Sequence, residues 1–247
     1  MKKLERIAVI ISAVLLLFGL ATVAVNAIFN RTGWLYKEYL SELGNSVYEE
    51  YGISAEDASR VLSSMMYYST GRADELNETI VENGEEVPFF NERELSHMRD
   101  VRKLTKTILY IGVLSLGIGI AVPITLKSFK KKELLKLFAK AYLIALGVAI
   151  VIIIALAVWV IIDFDSFWTT FHVVFLDLES STFDPATSRM IRICPAELFA
   201  DFTGRLGSYA AILTGGCGVA CYLYLRKQKK GSILPGPGKR SKHAEQE

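Results

Sequence analysis

Four stretches of this chain run for twenty residues or more without a charge: Ile7–Phe29, Thr107–Leu126, Ala141–Ile162 and Leu206–Leu225. A helix rises 1.5 Å per residue, so about 20 residues cross the roughly 30 Å of a bilayer's hydrocarbon. In such a solvent only helices and closed barrels satisfy their own backbone. These runs are too long and unbroken for barrel strands. With 51% hydrophobic residues, the expected fold is an all-α, polytopic membrane protein with four transmembrane helices and an external helical cap. The first run is longer than the roughly 7–15 residues of a signal core, although Val25-Asn-Ala27 resembles a cleavage site. It is expected to stay as an anchor.

The charges between the runs set the orientation. Residues 1–6 carry +2, 30–103 carry −7, 127–140 carry +5, 163–205 carry −4 and 226–247 carry +5. Lys and Arg collect on the cytoplasmic side, which places both termini inside and the two acidic segments outside. The chain then divides into a first transmembrane helix (1–29), an extracellular cap (30–105) and a second span (106–126). A cytoplasmic basic hairpin (127–140) leads to the third span (141–162). An extracellular aromatic loop (163–205), a fourth span (206–225) and a disordered cytoplasmic tail (226–247) complete it.

Within the cap, Ser54 followed by Glu56 and Asp57 opens a helix that should stop near Gly71. Asn83-Gly84 and Pro88 mark turns. Asn91 with Glu94 three residues on starts another helix, with no Gly or Pro before Gly112, so it should run unbroken into the second span. Pro195 with Glu197 reads as the helix start leading to the fourth span. Gly207, Ala211 and Gly215 recur every four residues there, a spacing that permits close helix contact.

The chemistry-bearing candidates lie in the two acidic segments. After the third run come Phe164, Phe167, Trp168, Phe171 and Phe175, at helical steps of three and four, an aromatic stripe of the kind that gathers at membrane boundaries. His172 stands at its edge. His97 lies about two turns above the second apolar run, with Glu94 and Asp100 three residues to either side, placed to hold its ring. Each histidine alone is also consistent with a structural role. Two at one interface suit a general base and acid, or a metal, but no histidine pair at i,i+4 and no cysteine cluster completes a ligand set. No metal and no cofactor are therefore expected. Arg192 and Arg189 can receive an oxygen or pair with Asp184 or Glu197; Tyr67 and Tyr68 can line a site or pack the cap. Cys194, Cys217 and Cys221 have no metal spacing. The basic residues are juxtamembrane, which speaks against a nucleic-acid partner.

The run Phe164-Asp-Ser-Phe-Trp-Thr-Thr-Phe-His-Val-Val-Phe175, with Phe183-Asp-Pro-Ala-Thr187 and Ile191-Arg-Ile-Cys-Pro-Ala-Glu-Leu-Phe199, resembles a family of Gram-positive integral membrane proteins. That family includes the lipoprotein intramolecular transacylases. Met66-Tyr-Tyr68 and Glu94-Leu-Ser-His-Met-Arg-Asp-Val101 match it in the same order. The resemblance implies an enzyme of the bacterial cell membrane that works between cap and bilayer. Its substrate is a diacylated lipoprotein, and it moves an acyl chain from the glyceryl sn-2 oxygen to the α-amino group of the N-terminal cysteine. It implies catalytic His97 and His172; around them the residue pattern is read as giving Tyr68, Phe167, Trp168, Phe171 and Arg192 as substrate contacts, Glu94 and Asp100 as orienting acids, and membrane lipid near the site. The chain departs from the family pattern at Leu178, Ser181 and Ser188. A non-catalytic membrane protein whose cap binds a partner or ligand has the same topology and aromatic belt, but does not require the two histidines to meet.

Overall fold

The computed structural model describes residues 2–40, 42–82, 85–126, 131–176 and 183–231; Leu178, Ser181 and most of the tail lie outside these. Four helices are long and apolar enough to cross a membrane: α1 (Lys3–Phe29), α5 (Glu92–Thr125), α6 (Lys131–Ile162) and α9 (Ala196–Gly231). Between α1 and α5 lie α2 (Gly33–Tyr39), α3 (Glu42–Tyr51), α4 (Ala55–Thr70) and a hairpin of β1 (Thr79–Glu82) with β2 (Glu85–Pro88). Between α6 and α9 come α7 (Phe164–Phe175) and the single turn α8 (Arg189–Arg192).

α1 is the hub of the bundle, packing along α5, α6 and α9, whereas α5 and α6 hardly meet. Small residues bring α1 and α5 close. Gly19 and Gly119 leave no room for a side chain: a Cβ at either would come within 2.7 Å of the facing helix, at Leu116 Cα and Leu16 N. Buried Ser12, Thr22 and Ser115 complete the seam. Lipid offers no hydrophobic drive for helices to associate, so contact of this kind carries the packing. The ladder expected in the last span does not do this. Gly207 and Gly215 face open space, and it is at Gly218 that an added Cβ would come within 2.7 Å of Leu146 Cδ2.

The basic segment after the second span is not a hairpin where it is described. Lys131–Lys140 is the start of α6, because no Gly or Pro interrupts it. Its Leu134 and Ala139 are buried while its lysines stay wet. The outer part of α6 has almost no protein neighbours, with Val151, Ile153 and Ile161 63–83% exposed. At Asp163 the backbone turns extended (φ −152°, ψ 81°), and its carboxylate accepts from Ser166 N at 3.0 Å. That cap ends α6 and sets the aromatic helix α7 off at its own angle.

The cap has its own core, in which Leu35, Tyr39, Val61 and Phe89 are at most 1% exposed. Ser54 caps α4, accepting from Asp57 N at 3.0 Å, and Gly71 ends it at φ +80°, a conformation glycine enters without a Cβ penalty. Among the described residues the hairpin is the one non-helical element, pairing Ile80 with Val87; the expected turn at Asn83-Gly84 lies outside the described residues. The Tyr39 hydroxyl donates to the Ile193 carbonyl, which ties the segment before α9 to the cap.

Candidate active site

Between cap and spans lies an apolar cavity of about 560 Å³. α4 contributes Leu62, Met65, Met66 and Ser69; α5 contributes His97, Met98 and Val101. α7 adds Phe164, Trp168, Thr169 and His172, and Met190, Cys194 and Phe199 close the far side.

His97 and His172 arrive from two different helices, α5 and α7. α5 carries His97 ten residues before the apolar run that begins at Thr107; α7 brings His172 nine residues beyond the Asp163 break. Their rings face each other with centroids 6.0 Å apart and planes 25° apart. Both are buried, at 8% and 3% exposure. His172 Nδ1 lies 2.7 Å from the Trp168 carbonyl, which can only accept, so Nδ1 is the donor and, in the neutral ring, the lone pair lies on Nε2. The Trp168 ring lies 4.5 Å from the His172 ring, inclined to it by 56°. His97 Nδ1 has no hydrogen-bond partner among the described residues, and the Phe183 ring meets His97 edge-on at 5.2 Å. Burial, then the neighbouring His172, lower the His97 pKa to about 4, against the opposing charge of Asp100. His97 is therefore neutral at pH 7.

Asp100 acts on His97 through its charge, but Glu94 is occupied elsewhere. Its carboxylate is 1% exposed and accepts from Ser188 Oγ (2.5 Å), Met190 N (2.9 Å) and Asn91 N (2.8 Å). A helical side chain leans towards its own N-terminus, so Glu94 reaches back to the start of α5 rather than forward to His97. There it clasps α8, and with it the cavity wall at Met190. Ser188, one of the departures from the family pattern, is the donor of that clasp. A carboxylate at 188 would face the one at 94.

The proposed substrate contacts divide by helical phase. Phe164, Trp168 and His172, at i, i+4 and i+8, face the cavity. Phe167 and Phe171 form the adjacent row: Phe167 packs edge-on to Trp159 at 5.5 Å, and Phe171 touches the rim of His172 at 5.5 Å. Tyr68 turns away from the cavity that its neighbours Met65, Met66 and Ser69 line, and lies under Arg102 at 4.4 Å. Arg192 is likewise outside, donating to the Pro185 (2.6 Å) and Ala186 (2.8 Å) carbonyls and lying 5.3 Å from the Tyr51 ring. It braces the loop before α8.

What residue patterns did not suggest is the methionine lining. Every methionine after the first residue (Met65, Met66, Met98 and Met190) borders the cavity. Methionine is flexible and polarizable, and it fills irregular space without fixing its shape. The signal was compositional, four occurrences scattered over three segments. Cys194 also lines the cavity, and burial followed by Glu94 pushes its thiol up to about 12, leaving it inert as a nucleophile at neutral pH. Among the described residues no three His, Cys, Asp or Glu side chains converge as a metal would require.

Four spans, a cap folded over their end and an apolar chamber holding two buried imidazoles define a polytopic membrane protein with an internal chamber. The sequence profile of the lipoprotein intramolecular transacylase Lit matches residues 9–199, and the chain belongs to that family of bacterial integral membrane enzymes. One structure of Bacillus cereus Lit matches with a TM-score of 0.68 at 18% identity, covering 95% of this chain and 100% of the other. A form carrying a histidine-to-arginine mutation gives a TM-score of 0.66 at 16% identity, over 92% and 95%. At that identity the likeness is one of fold. Comparison with curated proteins finds no match.

Proposed function

We propose that this protein moves the sn-2 acyl chain of a diacylglyceryl lipoprotein to the α-amino group of the same molecule's N-terminal cysteine, giving the lyso form, with His97 and His172 as the catalytic pair. The observation that carries the reading is two buried imidazoles face to face at 6.0 Å in an apolar chamber, one of them with Nδ1 tied to a backbone carbonyl.

His172 Nε2 takes a proton from the amine as its nitrogen attacks the ester carbonyl. The resulting imidazolium keeps its Nδ1–H on the Trp168 carbonyl. It returns the proton to the glyceryl oxygen as the carbon–oxygen bond breaks, so an ester and an amine become an amide and a free hydroxyl. His97 stays neutral because its cation is disfavoured by burial and by His172. It offers an N–H to the oxygen that becomes negative in the tetrahedral intermediate, as a preorganised donor. Ester and amine belong to one molecule, so the cavity's task is to fold them together and exclude water. Trp168, Phe164 and the methionines hold the chains. Asp100 tunes His97, and Glu94 positions the wall through Ser188. Both termini are cytoplasmic, the cap is extracellular, and the lipid anchor of the substrate enters from the surrounding membrane.

The test is conversion of a diacylated lipopeptide by the purified protein in lipid, read by mass spectrometry. His172→Asn should lower conversion by about 10²–10⁴-fold at unchanged protein level. Full conversion by that variant removes His172 from the mechanism. If the unmutated protein converts nothing where another family member does, the site serves binding only.

A further inference from the structure

Just before its apolar run, α5 carries a feature that acyl transfer does not use. Arg99, Arg102, Lys103 and Lys106 follow one another within about two turns, with Asp100 the one acid among them. The preceding segment, residues 30–98, has 5 Lys/Arg against 14 Asp/Glu, so the cations gather where the chain is otherwise acidic. They border a second cavity, of about 360 Å³, completed by Tyr68, Thr107 and Tyr110.

Two of the cations are fixed in the wall. Arg102 donates to the Ala73 carbonyl at 2.8 Å and lies 3.3 Å from the Asp74 carboxylate. Lys106 lies against Gly71, where the C-terminal end of α4 favours a positive charge. Arg99 and Lys103 stand exposed, with no ion pair among the described residues. Arg99, Lys103, Lys106, Tyr110 and Val113 recur at steps of four, three, four and three, so they share one face of α5. That face changes from cationic to apolar at Thr107, and below it Tyr110 is 67% and Val113 70% exposed. Charge at headgroup depth above open apolar surface at acyl depth has the polarity of a phospholipid, and a soluble anion would use only its upper half.

We propose that this face binds one anionic phospholipid, its phosphate held among Arg99, Lys103 and Lys106 and its chains lying along Tyr110 and Val113, so that the lipid braces α4 against α5. The site stands apart from the histidine chamber, and its test is independent of catalysis. The full-length protein is purified in mixed micelles, and native mass spectrometry reads retention of phosphatidylglycerol against phosphatidylcholine. The double variant Arg99→Gln, Lys103→Gln should lose phosphatidylglycerol by about thirty-fold, some fivefold per cation. The control Lys132→Gln, Lys136→Gln on α6 should not, and excess inorganic phosphate should leave the lipid in place. Arg99→Lys with Lys103→Arg should keep binding, which separates lost charge from damaged folding. Unchanged retention in the double glutamine variant, an equal loss in the control, or equal retention of phosphatidylcholine would overturn the proposal. Displacement by inorganic phosphate would make this a soluble-anion site and overturn it as well.

Discussion

The two histidines sit on the most and the least supported parts of the molecule. His97 belongs to α5, which is capped at both faces of its first turn, sealed to α1 through Gly19 and Gly119, and clasped to α8 by Glu94. His172 belongs to a twelve-residue helix hung from α6, whose outer half has few protein neighbours. It is held by its immediate surroundings, the Trp168 carbonyl and the rings of Trp168 and Phe171. The difference separates two ways of placing a catalytic group. One side is fixed through long-range packing, which a distant substitution can damage. The other is fixed mainly by neighbours on its own helix, with Phe199 of α9 edge-on to Trp168 at 5.7 Å.

The comparison breaks most sharply at Glu94. Glu94→Ala leaves three donors without their acceptor, Ser188 Oγ and Met190 N buried and Asn91 N part-buried, at about 1–3 kcal/mol each when none finds water. Thermal unfolding in detergent should show a loss of about 3 kcal/mol or more, and Glu94→Gln a smaller one. A loss below about 1 kcal/mol would mean the clasp is not what holds α8. Gly119→Val comes next: it forces a side chain into the seam facing Leu16, and overpacking of this kind costs about 1–3 kcal/mol. Gly207→Val, on the open ladder of α9, should be near neutral, so equal effects at the two glycines would contradict the seam.

A pH measurement isolates His97. Its folded pKa, about 4, lies below the ordinary 6.5, so the unfolded chain binds the proton more readily. That contribution to stability is complete above pH 6.5 and is lost as pH falls towards 4. Between pH 6.5 and 5.5 the loss should be about 1 kcal/mol. In His97→Asn that part of the slope should vanish; an unchanged slope would place the titration elsewhere. Smallest of all, Ile153→Ala on the open face of α6 should shift stability by about 0.5 kcal/mol or less, since its surroundings are lipid in either state.

Much of this was legible from residue patterns because the bilayer leaves few alternatives. Four uncharged runs gave the spans, and Ser54, Asn91 and Gly71 gave the helix ends of the cap, since each residue type acts on its neighbours in sequence. The histidines were legible as a pair at one depth from helical rise alone, but their 6.0 Å separation depends on the turn at Asp163, which a sequence shows only as an acid after isoleucines. Tyr68, Phe167 and Phe171 missed the chamber by one step of helical phase. A stripe several rings wide does not say which row faces inward. Glu94 was placed correctly as a capping residue and wrongly as the partner of His97, because its bonds to Ser188 and Met190 join positions some ninety residues apart.

The central claim is that the rigid and the locally held histidine serve one transition state. It is tested by measuring the rate of lyso-lipopeptide formation for His97→Asn, His172→Asn and the double variant under one set of lipid conditions. If the two act together, the double variant should be little slower than the worse single one, with the losses far from multiplicative. Losses that multiply, or full activity in either single variant, would contradict the account.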